Sequence, residues 1–167
     1  PYGVLKRVGE LYTKSLGGLI VKFWNVYGIE KDMDKAHVIT DFIRKGFETG
    51  VIDMMTDGTE AREFLYAEDC CEALETVMDE YDNLSCDDEL HITTGVYTTV
   101  LEIAEEIKSL FFSIGKKITV IPDEKKDSVQ RDARNVPDPY IKEFWQPTTS
   151  VKEGLKKVFE EKKKDYE

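Results

Sequence analysis

The chain has 167 residues, 41% of them hydrophobic and 34% charged, with a formal net charge of -11. That length and balance suit one globular domain with a real core. The acidic surface excludes generic nucleic-acid binding, which needs a basic face, and no apolar run approaches the ~18 residues needed to cross a membrane.

The first residues carry no basic segment followed by an apolar stretch, so no signal peptide is expected. The 3 cysteines, Cys70, Cys71 and Cys86, form neither a disulfide framework nor a zinc pattern. Reduced thiols, a cytoplasmic location and no metal site are the expectations.

Taken in order, residues 3–16 (GVLKRVGELYTKSL) have helical apolar spacing, and Gly17-Gly18 ends the helix. LIVKFW (19–24) is expected to be a buried strand of a parallel sheet, with Asn25 to Gly28 at its C-terminal end. Ligands collect outside such strand ends in open α/β sheets. Residues 29–36 read as a loop and 37–48 (HVITDFIRKGFE) as a helix.

VIDMMT (51–56) is expected to be a strand before an Asp57-Gly58 turn, EFLYA (63–67) a second strand, and 68–80 a helix with acids at its start. YDNLSCDDE reads as an acidic loop and LHITT (90–94) as a strand. Thr98 or Thr99 is placed to cap the following helix, with Glu102 closing a capping box. KITVIP (117–122) reads as a strand, 123–147 as polar and aperiodic, and Ser150 as the cap of a last helix. The sequence contains no G-x-G-x-x-G, so no dinucleotide pyrophosphate loop is expected here.

Five pieces in one order carry a resemblance: Tyr2-x-x-x-Lys6, FWNVYG (23–28), DGTEAREFLYAEDCCEAL (57–74), RDARNVPD (131–138) and WQPTTSVKEGL (145–155). Together they resemble the C-terminal half of the NAD-dependent nucleotide-sugar epimerases and dehydratases, which are extended short-chain dehydrogenases. The resemblance implies an α/β fold: the end of a doubly wound Rossmann-type parallel sheet (1–28), then a small mixed α/β substrate-binding lobe (29–167) with segments returning to the sheet. It also implies that the chain begins partway through such an enzyme, just ahead of its tyrosine.

The resemblance implies chemistry as well. Tyr2 is the acid/base for a sugar hydroxyl, and Lys6, one turn on, favours its phenolate and bonds the nicotinamide ribose. Phe23 and Trp24 lie near the nicotinamide of NAD or NADP, one of the two being expected to pack in the core instead. Asn25 meets the nucleotide-sugar. His37 and Val38 pass the nucleotide, with a structural helix-start role the alternative for His37. Arg62 bonds the diphosphate, for which a rigid, always-charged fork is suited. Asp69 caps its helix.

In RDARNVPD, Asp132 and Asp138 match the family's two acids and Asp132 is a candidate for a ribose hydroxyl, while Val129 stands where an arginine is usual. HVITDFIRKG and REFLY resemble the reductases that make GDP-fucose. The expected partners are a nucleotide-sugar and either a second copy or a chain supplying the dinucleotide-binding half, since LIVKFW would otherwise lose a neighbour. By itself the chain is expected to be a non-catalytic module that neither holds NAD tightly nor turns over. Nucleic acid and membrane are not expected partners.

Overall fold

A computed structural model describes residues 1–32, 35–85, 89–128 and 136–167. In chain order its elements are α1 (Tyr2–Ser15), β1 (Ile20–Phe23), β2 (Val26–Tyr27), α2 (Val38–Glu48), β3 (Val51–Asp53), β4 (Ala61–Glu63), β5 (Leu65–Tyr66), α3 (Ala67–Asp79), β6 (Glu89–Ile92), β7 (Tyr97–Thr99), α4 (Val100–Ser113), β8 (Thr119–Ile121) and α5 (Val151–Lys163). The α/β class read from the sequence holds. Strands pair in parallel as β1–β6, β2–β5 and β3–β8, and antiparallel as β4–β7.

Helix α1 stops where expected. Gly17 takes the left-handed conformation (φ 72°), the conformation glycine adopts without steric cost, and the Gly18 N–H donates back to the Thr13 carbonyl at 2.9 Å. No residue of α1 is buried. Charges tie it to the sheet: Lys22 reaches Glu89 at 2.6 Å and Glu10 at 3.4 Å, and Arg7 reaches Glu10 at 2.6 Å.

Strand β1 departs from expectation. Ile20 is buried, but Phe23 at the C-terminal end is 54% exposed. Among the described residues β1 has a single strand neighbour, β6, so its last side chain is not covered.

The stretch expected as one strand over 63–67 is two. β4 pairs Arg62 opposite Thr98 of β7. At Phe64 the chain changes partner: the Leu65 N–H donates to the Asn25 carbonyl at 3.1 Å and β5 runs parallel to β2. Period 2 alternation marks β4 ahead of the switch, with Ala61 and Glu63 buried and Arg62 partly exposed. The 51–56 strand is shorter than expected, ending at Asp53.

Two cores result. In the larger, α2 sends in Ile39, Phe42 and Ile43, at i, i+3, i+4 spacing, to meet α4 (Ile103, Ile107, Phe111) and α5 (Leu155, Val158, Phe159) over Ile52 of β3. Each such side chain contributes about 1.5–3 kcal/mol on burial. In the smaller, Ala73 and Val77 of α3 meet Leu90 and Ile92 of β6, with Ile141 and Trp145. The last two come from a segment expected to be aperiodic; a single 3-10 turn at Tyr140–Glu143 delivers Ile141.

Both capping boxes form. Thr99 Oγ1 accepts from the Glu102 N–H at 3.1 Å while Glu102 returns to the Thr99 N–H at 2.7 Å. Ser150 and Glu153 do the same for α5. Each cap contributes on the order of 1 kcal/mol. Asp69 does not cap its own helix. Its carboxylate, 1% exposed, accepts from the Thr149 N–H at 2.8 Å and from the hydroxyls of Thr148 and Thr149 at 3.1 and 3.0 Å, fixing the segment that leads into α5.

Candidate active site

The C-terminal ends of β1 and β2, the start of α1 and the start of α2 converge on one cleft of about 690 Å³. Tyr2, Phe23, Trp24, Asn25, His37 and Val38 all line it. Helical geometry explains the first: Tyr2 opens α1 and Lys6 stands four residues on, so both lie on one face. The Lys6 ammonium sits over the Tyr2 ring, 5.5 Å from its centroid, a cation–π contact on an exposed surface. Lys6 itself is not part of the cleft wall.

Phe23 and Trp24 form the aromatic side of the cleft. Neither is buried in a core. The Trp24 ring tilts against His91 at 6.0 Å, and His91 Nδ1 accepts the Asp138 N–H at 3.3 Å.

His37 takes the N-cap position of α2 without a side-chain capping bond. Its ring nitrogen instead meets the Glu30 carboxylate, which also accepts the His37 N–H at 3.0 Å. Partial burial pushes Glu30 upward, but the His37 ring, the Thr40 hydroxyl and the His37 N–H outweigh it and hold the carboxyl below the usual range. Sequence reasoning misses Glu30, which sits in a polar loop with no signal pointing seven residues ahead.

A second cleft, of about 370 Å³, adjoins the first and shares Asn25, Val38 and Phe64 with it. Arg62 lines this one, with Asp41, Lys45, Asp53 and Glu60. Arg62 projects from the middle of β4, and its guanidinium pairs with Asp127 and donates to the Ala61 carbonyl at 3.4 Å. Burial lowers the Lys45 ammonium, yet contacts at 3.0 Å to Asp53 and 3.1 Å to Asp41 raise it overall, so it stays charged. Asn25 bridges the clefts: its side-chain amide donates to the Glu63 carbonyl at 3.4 Å. Asn25 thus stands between Arg62, in the second cleft, and Tyr27, in the first.

Asp132, with Val129, Arg131 and Arg134, lies outside the described residues, as does Cys86. Among the described residues no His, Cys, Asp and Glu cluster could hold a metal ion, and no helix is long and apolar enough to cross a membrane.

A family model described as "NAD dependent epimerase/dehydratase family" matches residues 1–92. GDP-L-fucose synthase of Sinorhizobium fredii is 27% identical over 173 residues, covering 95% of this chain and 53% of that protein. UDP-N-acetyl-alpha-D-glucosaminuronate decarboxylase of Bacillus cytotoxicus is 31% identical over 170 residues, covering 95% and 52%. Among solved structures, an epimerase from the methanogen Methanothermobacter thermautotrophicus superimposes with a TM-score of 0.81 at 21% identity, over 99% of this chain and 51% of that one. The chain thus spans about half the length of the curated relatives it matches. The matched region holds the tyrosine helix, the aromatic strand end and Arg62, and the chain belongs to the NAD-dependent epimerase/dehydratase family.

Proposed function

We propose that this chain is the substrate side of a nucleotide-sugar modifying enzyme in which Tyr2 moves a sugar hydroxyl proton and Arg62 holds the nucleotide diphosphate. One observation carries the reading. Six residues singled out in the sequence for a nucleotide-sugar and its cofactor share one cleft, and Asn25 and Val38 continue it into the cleft that Arg62 lines. One ligand spanning both clefts reaches all of them.

A nicotinamide cofactor, when bound, supplies a hydride acceptor. The aromatic wall of Phe23 and Trp24 beside Tyr2 fits the nicotinamide end of that group. In this reading Phe23 and Trp24 exclude water from the cleft, Asn25 orients the sugar or diphosphate through its amide oxygen, and Lys6 holds its ammonium over the Tyr2 ring. His37, fixed by Glu30, faces the cleft with Val38 at the nucleotide's passage. The names of the relatives, one acting on a GDP-sugar and one on a UDP-sugar, leave the reaction within the family as epimerisation, dehydration, decarboxylation or reduction.

The test is calorimetry with UDP-, GDP-, dTDP- and CDP-linked sugars. One of them is expected to bind, and Arg62→Ala to weaken it at least tenfold. Binding unaffected by Arg62→Ala would sink the diphosphate role. The chain alone is expected neither to bind NAD tightly nor to turn over; turnover of any of these sugars by purified chain would refute that.

The apolar face of α1 (Val4, Leu5, Val8 and Leu11, all exposed) supports the further reading that a second copy or a partner chain covers it. Light scattering at high concentration is expected to show self-association, and a monomer there would count against a second copy.

A further inference from the structure

We propose that Asp127 is a built-in competitor for Arg62: its carboxylate occupies the guanidinium and must be displaced before the anionic part of a ligand can bind there. The proposal rests on Arg62 being the anion-binding group of the site. It assigns a function to a residue that lies 65 positions further along the chain and outside both cleft walls.

The geometry points to a strap. After β8 the chain runs beside residues 54–57, three of which line the second cleft, and is tied down by backbone bonds. Met54 N–H donates to the Ile121 carbonyl at 2.9 Å, Asp123 N–H to the Thr56 carbonyl at 3.0 Å, and Asp57 N–H to the Lys125 carbonyl at 2.7 Å. Asp127 follows two residues beyond the last of these ties. The strap is therefore anchored by its backbone before Asp127 is reached, and the Asp127 carboxylate meets Arg62.

Charge makes this pair exchangeable. The Arg62 side chain keeps 25% of its exposure and the Asp127 side chain 16%. A guanidinium this shielded is not left unpaired, so Asp127 yields only to another anion that takes its place. A diphosphate is such an anion: it presents more charge and more acceptor oxygens to the planar fork than one carboxylate can. Asp127 is preceded by Lys125 and Lys126, both exposed.

The consequence for recognition is a filter. The cleft already holds Asp41, Asp53 and Glu60, and a monoanion offers Arg62 no more than Asp127 does. Only a ligand with a multiply charged group gains from the exchange. The Asp127-bound form lowers the apparent affinity according to the fraction of chains in which Arg62 is engaged.

The experiment is calorimetric titration of the full chain with UDP-glucose, GDP-mannose and inorganic pyrophosphate, for the parent and for Asp127→Asn, Asp53→Asn, Arg62→Ala, and Arg62→Ala with Asp127→Asn. Folding of each is checked by circular dichroism. Asp53→Asn removes one negative charge from the same cleft without touching the pair. The expected result is affinity raised on the order of three- to tenfold by Asp127→Asn, a smaller change for Asp53→Asn, and loss of the gain in the double variant.

An Asp127→Asn chain that binds no better than the parent, including the case where neither binds, overturns the competitor role. If Arg62→Ala alone still weakens the parent, the diphosphate reading survives that failure. A gain that persists without Arg62 also overturns the competitor role. An equal gain from Asp53→Asn reduces the effect to general charge and also overturns the proposal.

Discussion

The Tyr27 hydroxyl donates to the Val151 carbonyl at 3.3 Å, in the first turn of α5. Tyr27 closes β2 and lines the cleft, so this bond joins the wall of the site to the last helix. Burial raises the phenol well above its ordinary value, and the group acts here as a neutral donor. Gly154 makes the approach possible: a Cβ there would overlap the Tyr27 hydroxyl. Gly154→Ala is therefore expected to destabilise the fold by about 1–3 kcal/mol, as overpacking does, against about 1 kcal/mol for Tyr27→Phe. Thermal unfolding of the two variants checks the order. A Gly154→Ala chain as stable as the parent would show that α5 does not lie against Tyr27.

Asp69 makes the second long-range joint. Its buried carboxylate takes three donors from Thr148 and Thr149, which precede α5. Replacing it by alanine leaves the Thr149 N–H without its acceptor, a loss of about 1–3 kcal/mol for that group alone. Because Trp145 lies just ahead of these threonines and is buried, its emission is expected to shift to the red in Asp69→Ala as the segment loosens. An unshifted spectrum with unchanged stability would reduce Asp69 to a spectator.

The charges that hold α1 give a pH dependence. The hydrogen bond from Lys22 pulls the Glu89 carboxyl below its ordinary value of 4.5, and the bond from Arg7 does the same to Glu10. A carboxyl whose folded pKa is depressed binds its proton more readily when unfolded. Its stabilisation is complete above the ordinary value and is lost as pH falls through the lower, folded one. The melting temperature is thus expected to drop as pH falls from about 5 to about 3, and less steeply in Lys22→Met. Parallel curves for the two chains would mean that the network does not couple folding to protons.

Much of this is legible in the sequence where the signal is local. Thr99 with Glu102 and Ser150 with Glu153 declare their helices within four residues, because a capping box is a contact between near neighbours. The helix that opens the chain and its glycine stop follow from the same short-range rules. What is not legible depends on distant partners. The change of strand partner at Phe64 is decided by β2 and β7, which approach from opposite sides of the chain in sequence. Ile141 and Trp145 enter the core from a single turn and the residues just after it, too short to show a period. Phe23 is apolar and stands in an apolar run, yet its exposure depends on how many strands flank β1. The candidate site follows the same division: residue types mark Tyr2, Asn25 and Arg62 through the motifs they sit in, whereas Glu30 and Asp127 hold their partners across loops that carry no pattern.

The relation of Tyr2 to Lys6 makes the last prediction. The Lys6 ammonium lies over the Tyr2 ring face, 5.5 Å from its centroid, a cation–π contact that sets the two side chains against each other. In the active enzyme, Tyr2→Phe removes the proton acceptor proposed above. Activity is expected to fall by about 10²–10⁴, the usual contribution of a positioned acid/base group, with nucleotide-sugar binding unchanged because Arg62 and Asn25 are untouched. Lys6→Met keeps the phenol but removes the nearby cation. Its rate is expected to fall too, by less than in Tyr2→Phe, because the phenol itself remains. A Lys6→Met enzyme of normal rate would remove Lys6 from the site, and a Tyr2→Phe enzyme of normal rate would remove Tyr2 from the chemistry.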